Sequence, residues 1–161
     1  MFNQIVKSMR KIEKQMVQAV FSGRNFKKSN TIVEVKNDYS YVYLHNNLIA
    51  MVHRPSRMMW ISNCGWFTAT TKSRLNALGA GIKQRDWVWY VDGVTIGSAV
   101  VCLDRNRKYL YASNIFPDTR SSAEILRAKI EKEKNSDVAI LKRRNRQMYK
   151  SSTMYTNPIF S

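Results

Sequence analysis

The sequence predicts an α+β protein: a small β-rich domain, barrel-like or a meander, of about seven strands, with one short central helix. An N-terminal amphipathic helix and C-terminal helices flank it. Three observations carry this reading. Phe2, Ile5, Met9, Ile12, Met16 and Val20 recur at spacings of three and four, the period of one helix face. From Thr31 the apolar period falls to two, with turn residues at about ten-residue intervals. From Asp118 the helical period returns. The chain accordingly divides into a helix over 1–23, a β-rich core over 31–116, a basic helical extension over 118–150 and a tail over 151–161 expected to be mobile. A length of 161 residues, 44% hydrophobic and 11% aromatic, suffices for a folded core and excludes a disordered chain.

Each element has a local cause. The first helix stops at Gly23, and its second face sets Lys7, Arg10, Lys11 and Lys14 against one acid, Glu13. An edge of Met and Ile without a boundary Trp favours docking on its own domain, or on a second copy to give a homodimer, over a membrane. Thr31–Lys36 and Tyr39–His45 alternate about Asn37-Asp38, and Asn46-Asn47 offers a left-handed turn into Leu48–His53. Pro55-Ser56 turns into Met58–Ile61. The central stretch, Trp60 to Leu78, runs from strand through a turn at Asn63-Cys64-Gly65 into a helix from Thr71, with Thr70 as the expected N-cap. Leu75 and Leu78 form its apolar edge, and Gly79 and Gly81 end it. Trp87–Val91, the hairpin signal Asp92-Gly93, Val94–Ile96, Ser98–Leu103 and Lys108–Ala112 complete the strands. Further on, Ser121 or Ser122 can cap a helix with Glu124 in its first turn.

Charge is the dominant compositional fact. The 27 Lys and Arg against 11 Asp and Glu give +16 and a pI near 10.2. The excess is spread as +6, +5 and +5 over residues 1–30, 31–116 and 117–161, so no single tail carries it. An anionic partner is the simplest cause, nucleic acid before an anionic membrane or an acidic protein. Two cysteines make neither a disulfide framework nor a metal set, and Cys102 in an apolar run reads as a buried thiol. No secretory signal or membrane-length apolar run occurs, which points to the cytoplasm.

Catalytic signatures are missing. His45 and His53 have no Cys or carboxylate at metal-ligand spacing, and Gly79-Ala80-Gly81 lacks the following helix that a phosphate cradle requires. Cys64 has neither a glycine elbow nor an orienting acid. No cofactor, no metal and no enzymatic activity are expected.

Nucleic-acid features are stronger in sum than singly. Arg54 and Arg57 flank one turn, Lys72 and Arg74 lie on the central helix, and Lys83 and Arg85 precede a strand. Arg105, Arg107 and Lys108 form another turn, and Lys142, Arg143, Arg144 and Arg146 make the densest basic cluster. Turns at one end of a small barrel would share a surface. Tyr39, Tyr41 and Tyr43 alternate on one strand face and can either stack on exposed bases or pack across strands. With no heptad, zinc module or RNA-recognition signature, phosphate contact is the expected mode of binding.

The pattern Leu44-His-Asn-Asn-Leu-Ile-Ala50, Gly65-Trp66-x-Thr68-x-Thr70-Thr71-Lys72-x-Arg74-Leu75-Asn76-x-Leu78 and Trp89-x-x-Asp92-Gly93 resembles a family of small tailed-bacteriophage proteins. In length, basicity and helical N-terminus the chain is also similar to the MotB modifiers of transcription of T4-like phages. That resemblance implies an early phage protein that binds double-stranded DNA with little sequence preference and alters host nucleoid or gene expression. The alternative from another class is an inhibitor of an acidic host protein, such as a polymerase subunit or defence nuclease, and a runner-up within the nucleic-acid-binding class is RNA binding through the tyrosine strand.

Overall fold

A computed structural model describes residues 9–160, with side chains as far as Tyr149. Residues 1–8, including Lys7 and the first turns of the expected N-terminal helix, lie outside the described residues, as does Ser161. The chain forms two compact units, Met1–Phe116 and Pro117–Ser161.

In the first unit, helix α1 spans Lys11–Ser22 and the central helix α2 spans Ala69–Ala77. Among the described residues ten strands accompany them: β1 Phe26–Lys28, β2 Thr31–Lys36, β3 Tyr39–Leu44, β4 Asn47–His53, β5 Met59–Ile61, β6 Lys83–Arg85, β7 Val88–Val91, β8 Val94–Ile96, β9 Val100–Leu103 and β10 Tyr109–Ser113. They form a seven-stranded antiparallel sheet in the order β1-β2-β3-β4-β5-β9-β10 and a three-stranded sheet β6-β7-β8. The α+β class and the meander are as expected, but the large sheet is open, with β1 and β10 as edges, and does not close into a barrel. The two strands beyond expectation, β1 and β6, read Phe-Lys-Lys and Lys-Gln-Arg. Short charged strands carry no apolar alternation, and at a sheet edge that same charge blocks unwanted pairing.

One face of the large sheet and both helices enclose the core. Val33, Val42, Ala50, Val52, Met59, Ile61, Val101 and Leu103 meet Met16 and Val20 of α1, Leu75 and Leu78 of α2, and Trp89 and Val91 of the small sheet. The apolar face of α1 therefore docks on its own domain. Its turn into β1 uses Gly23 at φ +69, whose amide reaches Ala19 O. The opposite sheet face is aromatic. The register aligns Tyr41, Met51, Trp60, Cys102 and Tyr111 across neighbouring strands, and Trp60 Nε1 donates to the Tyr111 hydroxyl at 2.9 Å. Tyr39 packs on Tyr41 of its own strand at a ring-centroid distance of 6.5 Å, and across strands on His53 and Trp60 at 4.9 and 6.5 Å. Burial pushes the Cys102 thiol up.

Three local expectations shift. The N-cap of α2 is Thr68, whose hydroxyl accepts the Thr71 amide at 3.2 Å, so the helix starts before Thr70. The β3–β4 turn is His45-Asn46, both left-handed, one residue earlier than Asn46-Asn47. Glu13 does not lie among the lysines of α1. It is buried, and its Oε1 accepts Arg74 Nη1 at 2.7 Å and Ser73 Oγ at 2.5 Å. Arg74 Nε also donates to Thr31 Oγ1 at 3.2 Å. This network ties α1, α2 and β2 together. Arg74 is 4% exposed, so its guanidinium faces the Glu13 carboxylate inside the core and not a polyanion in solvent.

The second unit contains one long helix, α3, Ser122–Phe160, where several helices and a tail from residue 151 were expected. Ser121 and Glu124 form a capping box: Ser121 Oγ accepts the Glu124 amide at 3.2 Å and Glu124 Oε2 accepts the Ser121 amide at 2.8 Å. Among the described residues no helix is long and apolar enough to cross a membrane.

Two outcomes test these features. Glu13→Gln or Arg74→Met alone leaves a buried charge uncompensated and is expected to cost about 3–5 kcal/mol in denaturant unfolding, whereas replacing both with methionine costs far less. Single variants within about 1 kcal/mol of wild type, the range of an exposed pair, would show that the ion pair is not structural. A thiol reagent is expected to titrate exposed Cys64 in the folded protein and buried Cys102 only after unfolding.

Candidate nucleic-acid interface

The thirteen basic residues singled out in the sequence fall into three groups. Three arginines are consumed by the fold. Arg74 is the buried partner of Glu13. Arg54 donates to Ser40 Oγ at 2.9 Å and to the Asn37 carbonyl, beside Gly23 at the end of α1. Arg107 donates to Arg57 O at 2.9 Å and to Leu78 O at 3.2 Å, satisfying a carbonyl that the end of α2 leaves open. Burial and the neighbouring Arg57 cation lower the pKa of Arg107. Arg54 and Arg107 tie turns to helix ends, which turn composition alone does not reveal.

The second group is displayed by the first unit. Lys83 and Arg85 stand on the fully exposed strand β6, and Lys83, Arg85 and Arg107 line an open cleft of about 900 Å³ between the small sheet and the β9–β10 turn. Gly79, Gly81 and Gly93 form part of its wall, where bare backbone lets a ligand approach closely. Asp86 and Asp92 also line it: Asp86 Oδ2 lies 4.0 Å from Arg85 Nε, and Asp92 is engaged by Lys108 Nζ at 3.6 Å and by the Tyr109 amide at 3.1 Å. Lys72, half-buried on α2, reaches the same wall by donating to Gln84 Oε1 at 2.9 Å. Arg57 and Arg105 are exposed outside the cleft lining, and Arg57 lies over the Phe21 ring at 5.8 Å. The third group, Lys142, Arg143, Arg144 and Arg146, is exposed on α3 in the second unit.

Three exposed aromatics were not among the candidate binding residues of the sequence reading. Trp66 and Phe67 follow the left-handed pair Cys64-Gly65, and Trp66 borders a pocket of about 470 Å³ with Leu44, His45, Ile49, Thr68 and Thr70. Trp87 was expected to begin a strand. It instead occupies the second turn position of the β6–β7 hairpin, at φ 68. A bulky residue there costs about 1–2 kcal/mol relative to glycine, and the ring is 89% exposed.

Each histidine has a polar neighbour close by. His53 Nδ1 lies 2.5 Å from Ser56 Oγ inside its turn, and His45 Nε2 lies 3.4 Å from Asn30 Nδ2. Among the described residues no group of His, Cys, Asp and Glu is arranged to hold a metal ion.

Gly79 has φ +94, and a Cβ there would lie 3.0 Å from Arg107 Nε. Gly79→Ala is expected to destabilise the fold by about 1–3 kcal/mol through backbone strain and to loosen Arg107 from the cleft wall. Thermal unfolding checks this, and an unchanged Tm would show that the close approach does not matter.

The model of a family described as Kyanoviridae Gp96 protein matches residues 9–113, from just before α1 to the end of β10. The matched stretch contains the buried ion pair, the cleft and all ten strands, and it leaves out α3. No match was found among curated proteins or among solved structures. The chain belongs to the Kyanoviridae Gp96 protein family, a family of bacteriophage proteins.

Proposed function

We propose that this phage protein binds nucleic acid through phosphate contacts, with double-stranded DNA as its main partner and little sequence preference, and that it catalyses no reaction. The observation that carries the reading is the cleft beside β6, where Lys83 and Arg85 stand exposed around glycine backbone with Arg107 behind them. Charge count supports it. With 11 acids for 27 cations, at least 16 cations have no carboxylate of their own within the chain. The basic cluster at residues 142–146 adds a second set of exposed cations. A role at the host nucleoid, modulating transcription in the cytoplasm, is what the likeness to MotB-type modifiers adds to this reading.

One observation favours a second reading. A groove of about 600 Å³ between α1 and the end of α2 is walled by Met9, Val17, Phe21, Ala77 and Leu78, with Lys14, Arg57 and Arg107 beside them. An acidic amphipathic helix of a host protein would suit that combination.

A salt titration separates the two. Contact with roughly 5–8 phosphates gives a log–log slope of about −4.5 to −7 on duplex DNA. Lys83→Ala with Arg85→Ala is expected to lower affinity for all sequences alike and to reduce the slope by about two. Replacing Lys142, Arg143, Arg144 and Arg146 with glutamine should flatten it by up to about four, if every one of them meets a phosphate. No binding at low salt, or a slope near zero, would overturn the DNA reading in favour of the protein groove.

A further inference from the structure

We infer that Trp87 is a base-stacking finger: it presents its ring to a nucleobase of the strand whose phosphates meet Lys83 and Arg85. The inference rests on the nucleic-acid reading above and adds what lies beside the phosphates. Its starting point is a contrast within one small sheet. Both hairpins of β6-β7-β8 turn through two left-handed residues. The second uses Asp92-Gly93, the pair that such a turn favours, at φ 49 and 75. The first uses Asp86-Trp87 at φ 50 and 68, setting the bulkiest side chain where glycine is free of strain.

Packing does not repay that strain. Trp87 is the most exposed large hydrophobic residue among those described, at 89%, and no ring contact holds it, whereas Phe67 packs edge-on against Trp89 at 5.3 Å. A residue that strains the backbone and leaves its ring in water is explained by a contact made outside the chain.

The surroundings identify that contact. Arg85 lies two residues before Trp87, and Lys83 two before that, so the strand leads two cations up to the ring. A cationic track beside a projecting aromatic is the arrangement that holds nucleic-acid strands, since every base offers a π-face whatever its sequence. The base can be unpaired, or it can belong to a duplex step that the ring wedges open. A membrane interface, the other surface that accepts tryptophan beside cations, fits less well. Asp86 is its partner in the turn, and Arg85 and Val88 on either side leave no apolar cluster to insert.

The experiment measures fluorescence anisotropy of labelled single-stranded DNA, RNA and duplex DNA with the full chain, its Trp87→Gly and Trp87→Phe variants, and thermal unfolding of each. Trp87→Gly is expected to weaken binding about 5- to 150-fold, the worth of one stacked base. The salt slope should stay unchanged because no charge is removed, and Tm should hold or rise because the turn relaxes. Trp87→Phe should keep most of the affinity. Loss confined to the single strands would assign an unpaired base, and equal loss on duplex would assign a wedged step. If wild type binds while Trp87→Gly binds equally well, the finger is overturned and the phosphate reading stands. If wild type binds nothing, both fall. A clear drop in Tm for Trp87→Gly would make the ring structural. A tryptophan blue shift with phosphatidylglycerol vesicles, lost in Trp87→Gly without any effect on oligonucleotides, would reassign it to membranes.

Discussion

The rest of the first unit depends on a carboxylate and a guanidinium that meet where water does not reach. Glu13 and Arg74 are far apart in the chain, and each alone would be expelled from a hydrophobic interior. Together, with Ser73 and Thr31 supplying further hydrogen bonds, they fix α2 against α1 and the second strand at one relative position. The apolar contacts around them are less discriminating. Met16, Val20, Leu75 and Leu78 make non-directional contacts, whereas a buried ion pair needs good geometry to offset its desolvation. The pair thus joins α1, α2 and β2 at one point, and the chain leaving α2 supplies Gly79, Ala80 and Gly81 to the cleft wall beside the small sheet.

That arrangement explains how the protein carries a large charge excess and still folds. Arginines and lysines are used differently. Arg54, Arg74 and Arg107 each reach two or more oxygens with their planar forks: Arg54 and Arg107 close turns against helix ends, and Arg74 joins α2 to α1 and β2. Lys83, Lys108 and Lys142 stay at the surface, where a compact hydrated ammonium costs little. The candidate interface is the remainder after the fold has taken the arginines it needs.

Periodicity made the strands and both helices of the first unit legible, because a half-buried sheet and an amphipathic helix write their burial directly into the sequence. Val33, Val42 and Val52 sit on the core face as their alternation requires. The small sheet was only half visible, since Lys83-Gln84-Arg85 looks like a loop until β7 pairs with it. Arg74 was misjudged for a related reason: sequence shows which helix face a charge occupies but not whether an acid sixty-one positions away will meet it. Trp87 was taken for a strand residue because aromatics favour strands, and the turn is set by how many residues separate Arg85 from Val88. The candidate site was legible in composition and not in placement.

The order of strands in the large sheet has a kinetic consequence. Strands β1 to β5 are a run of neighbouring hairpins, and β9–β10 is one more. The pairing of β5 with β9 must span residues 62–99, which hold α2 and the whole small sheet. Closing so long a loop draws more entropy than any hairpin does. The N-terminal meander can therefore collapse early, with the β5–β9 seam sealing late. Until that seam forms, the exposed edges of β5 and β9 are the points at which a chain leaving the ribosome is most open to pairing with another copy of itself.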